Sequence, residues 1–251
     1  MSNDISLASQ LFPTTTPRLD WLMSYAERIA IIQILRTSHP TLALEIGTAR
    51  GGCLQQITEH ACHTFSIDID ASVRANLEPL LSNVSFLTGQ SSELIPQVLE
   101  ECRQRGQSLG FVLVDGDHRY EGVKADLDAL LAYRPTAPLW LLMHDSSNPE
   151  CRRGIRDANW AANPHVHAVE LDFVSGSISN QPQFDGQIWG GLALALLLPE
   201  PRSGNLVIGE SLAHHHKVLY RSSIHFPSVG NTTKFWLRTK WKGLKRRLGK
   251  N

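Results

Sequence analysis

The stretch that decides the fold runs from Leu42 to Asp68 (LALEIGTARGGCLQQITEHACHTFSID). It opens with the apolar run Leu42–Ile46, breaks into the glycine-rich segment Gly47–Gly52, and later resumes with Phe65–Ile67 before ending at Asp68. A buried strand, a glycine-rich turn, a helix and a second strand that ends in an acid form the first half of a nucleotide-binding α/β unit. Glycines let backbone N–H groups approach a ligand closely, and the helix after them presents its positive end. A carboxylate placed like that of Asp68 suits a ribose diol.

The alternation of apolar runs and helical patterns continues along the chain. Five runs are each followed by a helical pattern, and they predict strands over Leu42–Ile46, Thr64–Ile67, Val84–Leu87, Phe111–Val114 and Pro138–Met143. Two further strand-like runs, Val166–Val174 and Gln187–Leu198, have no helix between them. The pattern therefore indicates a doubly wound α/β fold with a mostly parallel sheet of seven strands, and its last pair predicts an antiparallel strand at the sheet edge.

The chain divides into four predicted segments, which suits one large domain with appendages. They are an N-terminal helical segment (1–40), the α/β domain (41–199), an irregular segment (200–230) and a basic tail (231–251). Within the first segment, apolar residues at helical spacing predict a leading helix over Leu19–Leu35. This helix is expected to pack on the sheet through Leu22, Tyr25, Ile29 and Ile32.

Composition favours a cytoplasmic location. The N-terminus lacks a basic region followed by an apolar one, so we expect no signal peptide. No segment reaches the roughly 18 uncharged apolar residues that span a bilayer. The four cysteines are scattered without a C-x-x-C pair, which favours reduced thiols over disulfides or a zinc site.

The basic tail offsets an acidic body, so that the formal net charge is zero. Residues 231–251 hold eight of the 24 Lys and Arg residues and none of the 24 acids, which leaves 16 basic and 24 acidic residues elsewhere, a formal −8. The tail places Leu237, Trp241, Leu244 and Leu248 on one helical face, the pattern of a helix on an anionic membrane. Docking onto the acidic body and a solvated tail are the alternatives. We expect no nucleic-acid partner, and the pattern leaves a homo-oligomer open.

Glu45–Gly52 (EIGTARGG) resembles the first motif of the class I S-adenosylmethionine-dependent methyltransferases, with Ala49 in place of the middle glycine. The resemblance implies a Rossmann-like methyltransferase fold over residues 41–199 and S-adenosylmethionine as cofactor. By this resemblance the glycines surround the amino-acid part of the cofactor, Asp68 binds its ribose, and two residues after the third strand lie near its adenine. The cofactor-binding residues predicted are Glu45, Gly47, Thr48, Gly51, Asp68, Gln90 and Ser91.

Two later segments narrow the resemblance. Val114–Val123 (VDGDHRYEGV) and His144–Ser147 (HDSS) are similar to the branch that includes macrocin O-methyltransferase and cephalosporin hydroxylase-like proteins. The similarity covers roughly residues 40–195. The pairing of Asp-Gly-Asp-His with His-Asp is more specific than the glycine loop.

The same segments predict the reacting groups. Asp115 and Asp145 follow the fourth and fifth strands, so both carboxylates should reach the crevice at the strand ends. Oxygen ligands suit Mg²⁺, which would lower the pKa of a substrate hydroxyl, and His118 is the candidate base that takes its proton. The predicted metal ligands are Asp115, His144 and Asp145. His144 stands where some relatives carry an acid, and it is either a ligand or the partner of one.

We therefore expect an O-methyltransferase that uses S-adenosylmethionine, assisted by Mg²⁺, on a hydroxyl of a small-molecule or glycan acceptor such as a sugar or secondary metabolite. A hydroxylase-like relative and a non-catalytic scaffold attached to a membrane are the alternatives.

Four other features have mainly structural interpretations. Asp70 is expected to be a helix N-cap and Asp117 to stabilise a turn. The run His214–His216 is expected to lie in a solvated loop rather than to bind metal. Trp189–Gly191 should let the edge strand bend, with a substrate-facing Trp189 as the alternative.

Overall fold

A sheet of eight strands organises residues 19–224, the part of the chain that the computed structural model describes. The strand order across the sheet is β10-β6-β9-β5-β4-β1-β2-β3, and β7 and β8 pair separately as a short ribbon. The strands are β1 (Leu42–Ile46), β2 (His63–Asp68), β3 (Val84–Thr88), β4 (Leu109–Val114), β5 (Leu139–His144), β6 (Val166–Val174), β7 (Ser177–Ile178), β8 (Ile188–Trp189), β9 (Leu192–Leu197) and β10 (Ile208–Gly209).

Different helices cover the two faces of the sheet. The helices are α1 (Tyr25–Ser38), α2 (Gly52–His60), α3 (Ala71–Leu77), α4 (Ser91–Arg105), α5 (Tyr120–Leu130), α6 (Pro149–Arg156) and α7 (Ala213–Ser222), and Trp160–Ala162 form a 3₁₀ turn. Leu42, Leu44 and Ile46 of β1 pack in one hydrophobic cluster with residues of α4, α5 and α6. Ala43 packs in the other, with residues of α1 and α2. None of the helices in residues 19–224 is both long enough and apolar enough to cross a bilayer.

The predicted fold class is confirmed, with one difference in the sheet. Strands β1 to β5 pair in parallel, and β9 runs antiparallel to both of its neighbours, β5 and β6. The antiparallel strand therefore lies inside the sheet rather than at its edge, since β6 and the unpredicted β10 lie beyond it. The run Gln187–Leu198 divides into β8 and β9 because Gly190 and Gly191 both adopt positive φ (75° and 87°) between them.

The leading helix begins later than predicted and buries a different face. A capping box starts it, in which Ser24 and Glu27 hydrogen-bond each other's backbone N–H. Glu27 faces inward, and the buried apolar residues of the helix are Ile31, Ile32, Ile34 and Leu35. Of the predicted contacts only Ile32 is buried, and the prediction was wrong for the exposed Leu22, Tyr25 and Ile29.

Residues 200–224 contain more secondary structure than the sequence pattern indicated. Within the predicted irregular segment 200–230, β10 pairs with β6 and α7 follows. The run His214–His216 lies in α7 and not in a loop, because His216 is buried with its Nε2 atom 2.8 Å from Asp172 Oδ1. The basic tail 231–251 and its predicted amphipathic face lie outside the described residues.

The tight contact of Gly47 with β4 gives a test of the fold. A Cβ at Gly47 (φ 83°) would lie 2.1 Å from the carbonyl oxygen of Asp115 and 2.6 Å from the Cα of Gly116. Gly106 has a similar positive φ (63°), but a Cβ there would meet nothing within 4 Å. We expect Gly106→Ala to cost about 1 kcal/mol of unfolding free energy, from backbone strain alone, and Gly47→Ala to cost at least about 3 kcal/mol.

Urea denaturation of the two variants measures the difference. Equal losses would show that the chain relaxes around Gly47 and that the close approach does not constrain the loop.

Candidate active site

The glycine-rich loop after β1 is held by the end of β2. Thr48 and Ala49 both donate their backbone N–H groups to Asp68 Oδ2, at 2.9 and 3.0 Å. The hydroxyls of Thr48 and Ser66 lie 2.7 Å apart in a buried position. Ala49, which replaces a glycine of the motif, adopts φ 46°, so this position keeps the left-handed backbone that glycine would favour. The loop is therefore shaped before any ligand arrives.

Asp68 and Asp70 have separate roles at the end of β2. Asp68 accepts the loop N–H groups on Oδ2 and the N–H of Asp70 on Oδ1. A carboxylate offers about four acceptor positions, so room remains for ligand hydroxyls. Asp70 accepts from the N–H of Ser72 at 2.8 Å, which confirms it as the N-cap of α3.

A cavity of about 390 Å³ opens beside this loop at the carboxyl ends of the parallel strands. Its lining includes six of the predicted site residues: Gly47, Asp68, Gln90, Ser91, Asp115 and His118. Gln90 and Ser91 stand at the N-terminus of α4. The structure thus brings the predicted cofactor loop and the predicted base to one cavity.

Three predicted cofactor residues do not line the cavity. Gly51 is the N-cap of α2, where a Cβ would lie 2.7 Å from a side-chain carbon of Leu77. Thr48, within the loop, and Glu45, in β1, are both buried. These three residues therefore support the loop in this structure, and a direct ligand contact stays a prediction.

Glu45 is an acid buried inside the sheet. Burial raises its pKa to about 8, hydrogen bonds from Thr48 and Cys53 oppose this, and the nearby charges of Asp115 and Asp68 add to it. At neutral pH the Glu45 carboxyl group is therefore mostly protonated.

Four titratable side chains meet at the ends of β4 and β5. His144 Nδ1 lies 2.9 Å from Asp115 Oδ1 and 3.5 Å from Asp145 Oδ2. His118 Nε2 faces the same two oxygens, at 3.5 and 3.2 Å. Asp115, His144 and Asp145 offer ligand atoms that all lie within 4.8 Å of one another, the spacing of a candidate metal site. The structure therefore groups the three predicted metal ligands and the predicted base.

Glu27 of α1 is part of this group, and the sequence reasoning missed it. Its Oε1 atom lies 3.1 Å from His144 Nε2 and accepts the N–H of Gly191 at 2.6 Å, while Oε2 accepts the N–H of Ser24. The spacing of Ser24 and Glu27 is a capping-box signal that would have placed the helix start correctly. Nothing local in the sequence indicated that Glu27 reaches a residue 117 positions away.

The charges of the group stabilise one another. Burial lowers the pKa of His144, but the negative charges of Asp115 and Asp145 outweigh this and hold it well above its ordinary value. Burial raises the pKa of Asp115, yet the neighbouring His144 and His118 bring it below its ordinary value. A hydrogen bond to Asp115 raises the pKa of His118, against the effect of burial. The imidazoles and the carboxylates thus each favour the charged form of the other.

The β7–β8 ribbon and the residues next to it contact Asp145 and His118 of this group. Gly190 donates its backbone N–H to Asp145 Oδ1 at 2.5 Å. The Trp189 ring meets the His118 ring edge-on with centroids 5.5 Å apart, and Phe184 lies 5.1 Å from Trp189. The ribbon therefore both fixes Asp145 and places aromatic rings beside the candidate base.

The turn between β4 and α5 is held by Asp117. Its carboxylate accepts the backbone N–H of Arg119 at 2.9 Å and forms an ion pair with the Arg119 guanidinium. This agrees with the predicted turn role, and it fixes the segment that presents His118.

Comparison with known proteins finds similarity to methyltransferases. A family model described as a methyltransferase domain matches residues 44–146. The O-methyltransferase from Bacillus cereus in complex with SAH is 16% identical, with 70% of this chain and 82% of that chain covered and a TM-score of 0.51. The O-methyltransferase TomG from Streptomyces achromogenes, involved in tomaymycin synthesis and in complex with SAM, is 15% identical, with 76% and 87% covered and a TM-score of 0.50. A search of curated proteins finds no match.

The family model covers less than half of the chain, and the two solved structures show the fold. Residues 19–224 have the Rossmann-like α/β fold of these two O-methyltransferases.

The buried Glu45 predicts a dependence of stability on pH. Its pKa is about 8 in the folded protein against an ordinary value of 4.5, so the unfolded chain releases its proton first as the pH rises. The contribution is fully present below pH 4.5 and is lost by about pH 8, with an upper limit of about 5 kcal/mol. We expect Glu45→Gln to gain stability relative to the wild type between pH 5 and pH 8, as measured by urea denaturation.

The matched control is Glu121→Gln, which changes an exposed acid on α5. It should follow the wild-type curve across this range, and a Glu45→Gln curve parallel to both would contradict the protonated state of Glu45.

Proposed function

We propose that the protein is an S-adenosylmethionine-dependent O-methyltransferase that acts, with a divalent cation, on a hydroxyl of a small-molecule or glycan acceptor. One observation carries the proposal: the cofactor loop, the candidate base His118 and Asp115 of the candidate metal-binding triad line one cavity. Asp68 lines the same cavity, and His144 and Asp145 complete the triad beside Asp115.

The cofactor assignment is supported by the cavity and by structural neighbours. Two neighbours with the same fold hold SAH and SAM. In this chain the carboxylate of Asp68 stands at the end of β2, and Gln90 and Ser91 lie across the cavity at the N-terminus of α4. When bound, S-adenosylmethionine supplies an activated methyl group on a positively charged sulfur.

A divalent cation fits the donor atoms of Asp115, His144 and Asp145. The two carboxylates suit Mg²⁺, the ion expected from the sequence, although the imidazole nitrogen of His144 is not an oxygen ligand. When bound, the cation supplies positive charge that lowers the pKa of an acceptor hydroxyl.

His118 is the group that would take the proton of the acceptor. Its side chain is 46% exposed at the cavity wall, so an acceptor can reach it. The carboxylates of Asp115 and Asp145 face its Nε2 atom and stabilise the imidazolium that forms when it takes up the proton. An acceptor oxygen freed of its proton would take the methyl group as the bond from that group to the cofactor's sulfur breaks and leaves a neutral thioether. The contribution of the chain to this step would be to align the two reactants.

The aromatic rings next to His118 favour an acceptor with a ring. Trp189 and the exposed Phe184 form an apolar surface of two rings, tilted 52° to each other, beside the candidate base. Trp189 also donates from its Nε1 atom to Gln187, which fixes the ring plane. Such a surface suits stacking of a phenol or the apolar face of a sugar.

Removing the base should separate chemistry from cofactor binding. We expect His118→Gln to lower kcat by about 10²- to 10⁴-fold, because no base remains to take the proton of the substrate hydroxyl. The Kd for S-adenosylmethionine should stay within error. Calorimetry gives the Kd, and a methyl-transfer screen of glycosides and phenols gives kcat.

The control is His215→Ala, an exposed histidine on α7 that should leave both values unchanged. Full turnover by His118→Gln would remove His118 as base. An oxidised product without methyl transfer would identify the hydroxylase-like alternative, and no cofactor binding at all would favour the scaffold.

We further propose that residues 231–251 make a peripheral contact with anionic membranes. The support is the sequence alone, in which eight basic residues surround the apolar face of Leu237, Trp241, Leu244 and Leu248. We expect the full chain to sediment with vesicles that contain anionic lipid, because each basic residue near such a surface contributes about 1 kcal/mol. A chain that lacks 231–251 should stay in the supernatant, as should the full chain with neutral vesicles. Equal binding with and without the tail would refute the proposal.

A further inference from the structure

We propose that the site formed by Asp115, His144 and Asp145 binds a divalent transition-metal ion of the Mn²⁺, Co²⁺ or Zn²⁺ type in preference to Mg²⁺, with His144 Nδ1 as a ligand. The inference rests on the proposed function in that a cation acts at this site. It goes beyond that function by naming the class of ion and the atom that selects it.

The spacing of the donor atoms fits one ion. Two ligands about 2.1 Å from a common ion lie about 3.0 Å apart at a right angle and about 3.4 Å apart at a tetrahedral angle. His144 Nδ1 lies 2.9 Å from Asp115 Oδ1 and 3.5 Å from Asp145 Oδ2, which brackets these values. The other oxygen of Asp145 accepts the N–H of Gly190, so Oδ2 is the one left for an ion.

Glu27 orients the imidazole as a ligand. Its Oε1 atom lies 3.1 Å from His144 Nε2, while Nδ1 faces the two aspartates. When a cation takes the lone pair of Nδ1, the remaining ring proton of His144 sits on Nε2 and donates to Glu27. The backbone N–H of Gly191, just before β9, and that of Ser24, the N-cap of α1 itself, hold Glu27 in place. A carboxylate that holds the far nitrogen of a histidine is the usual arrangement around a ligating imidazole.

The nitrogen donor decides the class of ion. Mg²⁺ is a hard ion that takes oxygen ligands almost exclusively, whereas imidazole suits transition metals such as Zn²⁺ and Fe²⁺. A triad of three carboxylates would favour Mg²⁺, and His144 replaces one oxygen donor by nitrogen. His118 Nε2, 3.2 Å from Asp145 Oδ2, puts a second imidazole at the edge of the site. Both imidazoles shift the preference of the site from Mg²⁺ toward a transition-metal ion.

Calorimetry on the chelator-treated full chain tests the preference directly. We expect Mn²⁺ and Co²⁺ to bind at one site per chain and at least about tenfold more tightly than Mg²⁺. Bound Co²⁺ should also give a visible absorption band that is shifted and more intense than that of hydrated Co²⁺ because of its protein ligands, a readout independent of activity. His144→Asp should bring the Mn²⁺ and Mg²⁺ affinities together and weaken the Co²⁺ band.

Two further variants locate the ion. Asp115→Asn should abolish tight binding of every ion tested. Glu27→Gln should weaken Mn²⁺ binding about 10- to 100-fold while the order of the ions is kept, because it removes the charge behind His144. The matched control replaces the exposed His214 and His215 of α7 by alanine, and it should leave all ion affinities unchanged.

The outcomes separate this inference from the proposed function. Equal or tighter binding of Mg²⁺ by the wild type overturns the inference, as does an unchanged ratio of Mn²⁺ to Mg²⁺ affinity in folded His144→Asp. Loss of the Co²⁺ band in the α7 control would assign the ion to that helix and also overturn it. Binding of S-adenosylmethionine is measured on the same samples, so a failure of the methyltransferase proposal is seen independently of which ion binds.

Discussion

The hydrogen-bonded chain from Glu27 through His144 to Asp115 is the interaction on which the site depends. It joins α1 to the ends of β5 and β4, and all three side chains are largely shielded from water. Charges in such surroundings are tolerated only when each has a partner, and loss of one partner typically costs about 3–5 kcal/mol. The leading helix is therefore part of the site, since it supplies the charge behind His144.

The cofactor loop contacts the end of β4 through close backbone packing rather than through charge. Gly47 has no side chain, and its Cα lies so close to the backbone of Asp115 that a Cβ would overlap the carbonyl oxygen. The N–H of Asp115 donates to the carbonyl of Ile46 at 2.8 Å. The strand that carries the loop and the strand that carries the first metal-binding aspartate thus meet at their ends. A change of backbone position at Gly47 would therefore displace Asp115 directly.

The local signals in the sequence were enough for the parallel strands β1 to β5 and for bringing most of the candidate site residues to one edge of the sheet. Apolar runs that end in Asp68, Asp115 and Asp145 follow a rule of parallel sheets, in which strand ends share one crevice, so these acids could be placed before the structure was known. Glu27 could not, because its partner is distant in sequence and the apolar pattern of its helix indicated the wrong face. The order in residues 208–222 was also missed, since β10 has only two residues and α7 is fixed by the buried contact of His216 with Asp172.

Strained backbone conformations occur at the proposed site. Among the described residues, three that are not glycine have positive φ, and two of them, Ala49 and Asp145, belong to the site. Such conformations cost about 1–3 kcal/mol each and persist only where the surroundings hold them. Asp145 (φ 55°) is held by the N–H of Gly190 on one oxygen, with His118 and His144 near the other. Because the strained backbone turns its carboxylate toward the two imidazoles, the fold gives up local stability to place one oxygen beside both the candidate ligand His144 and the candidate base His118.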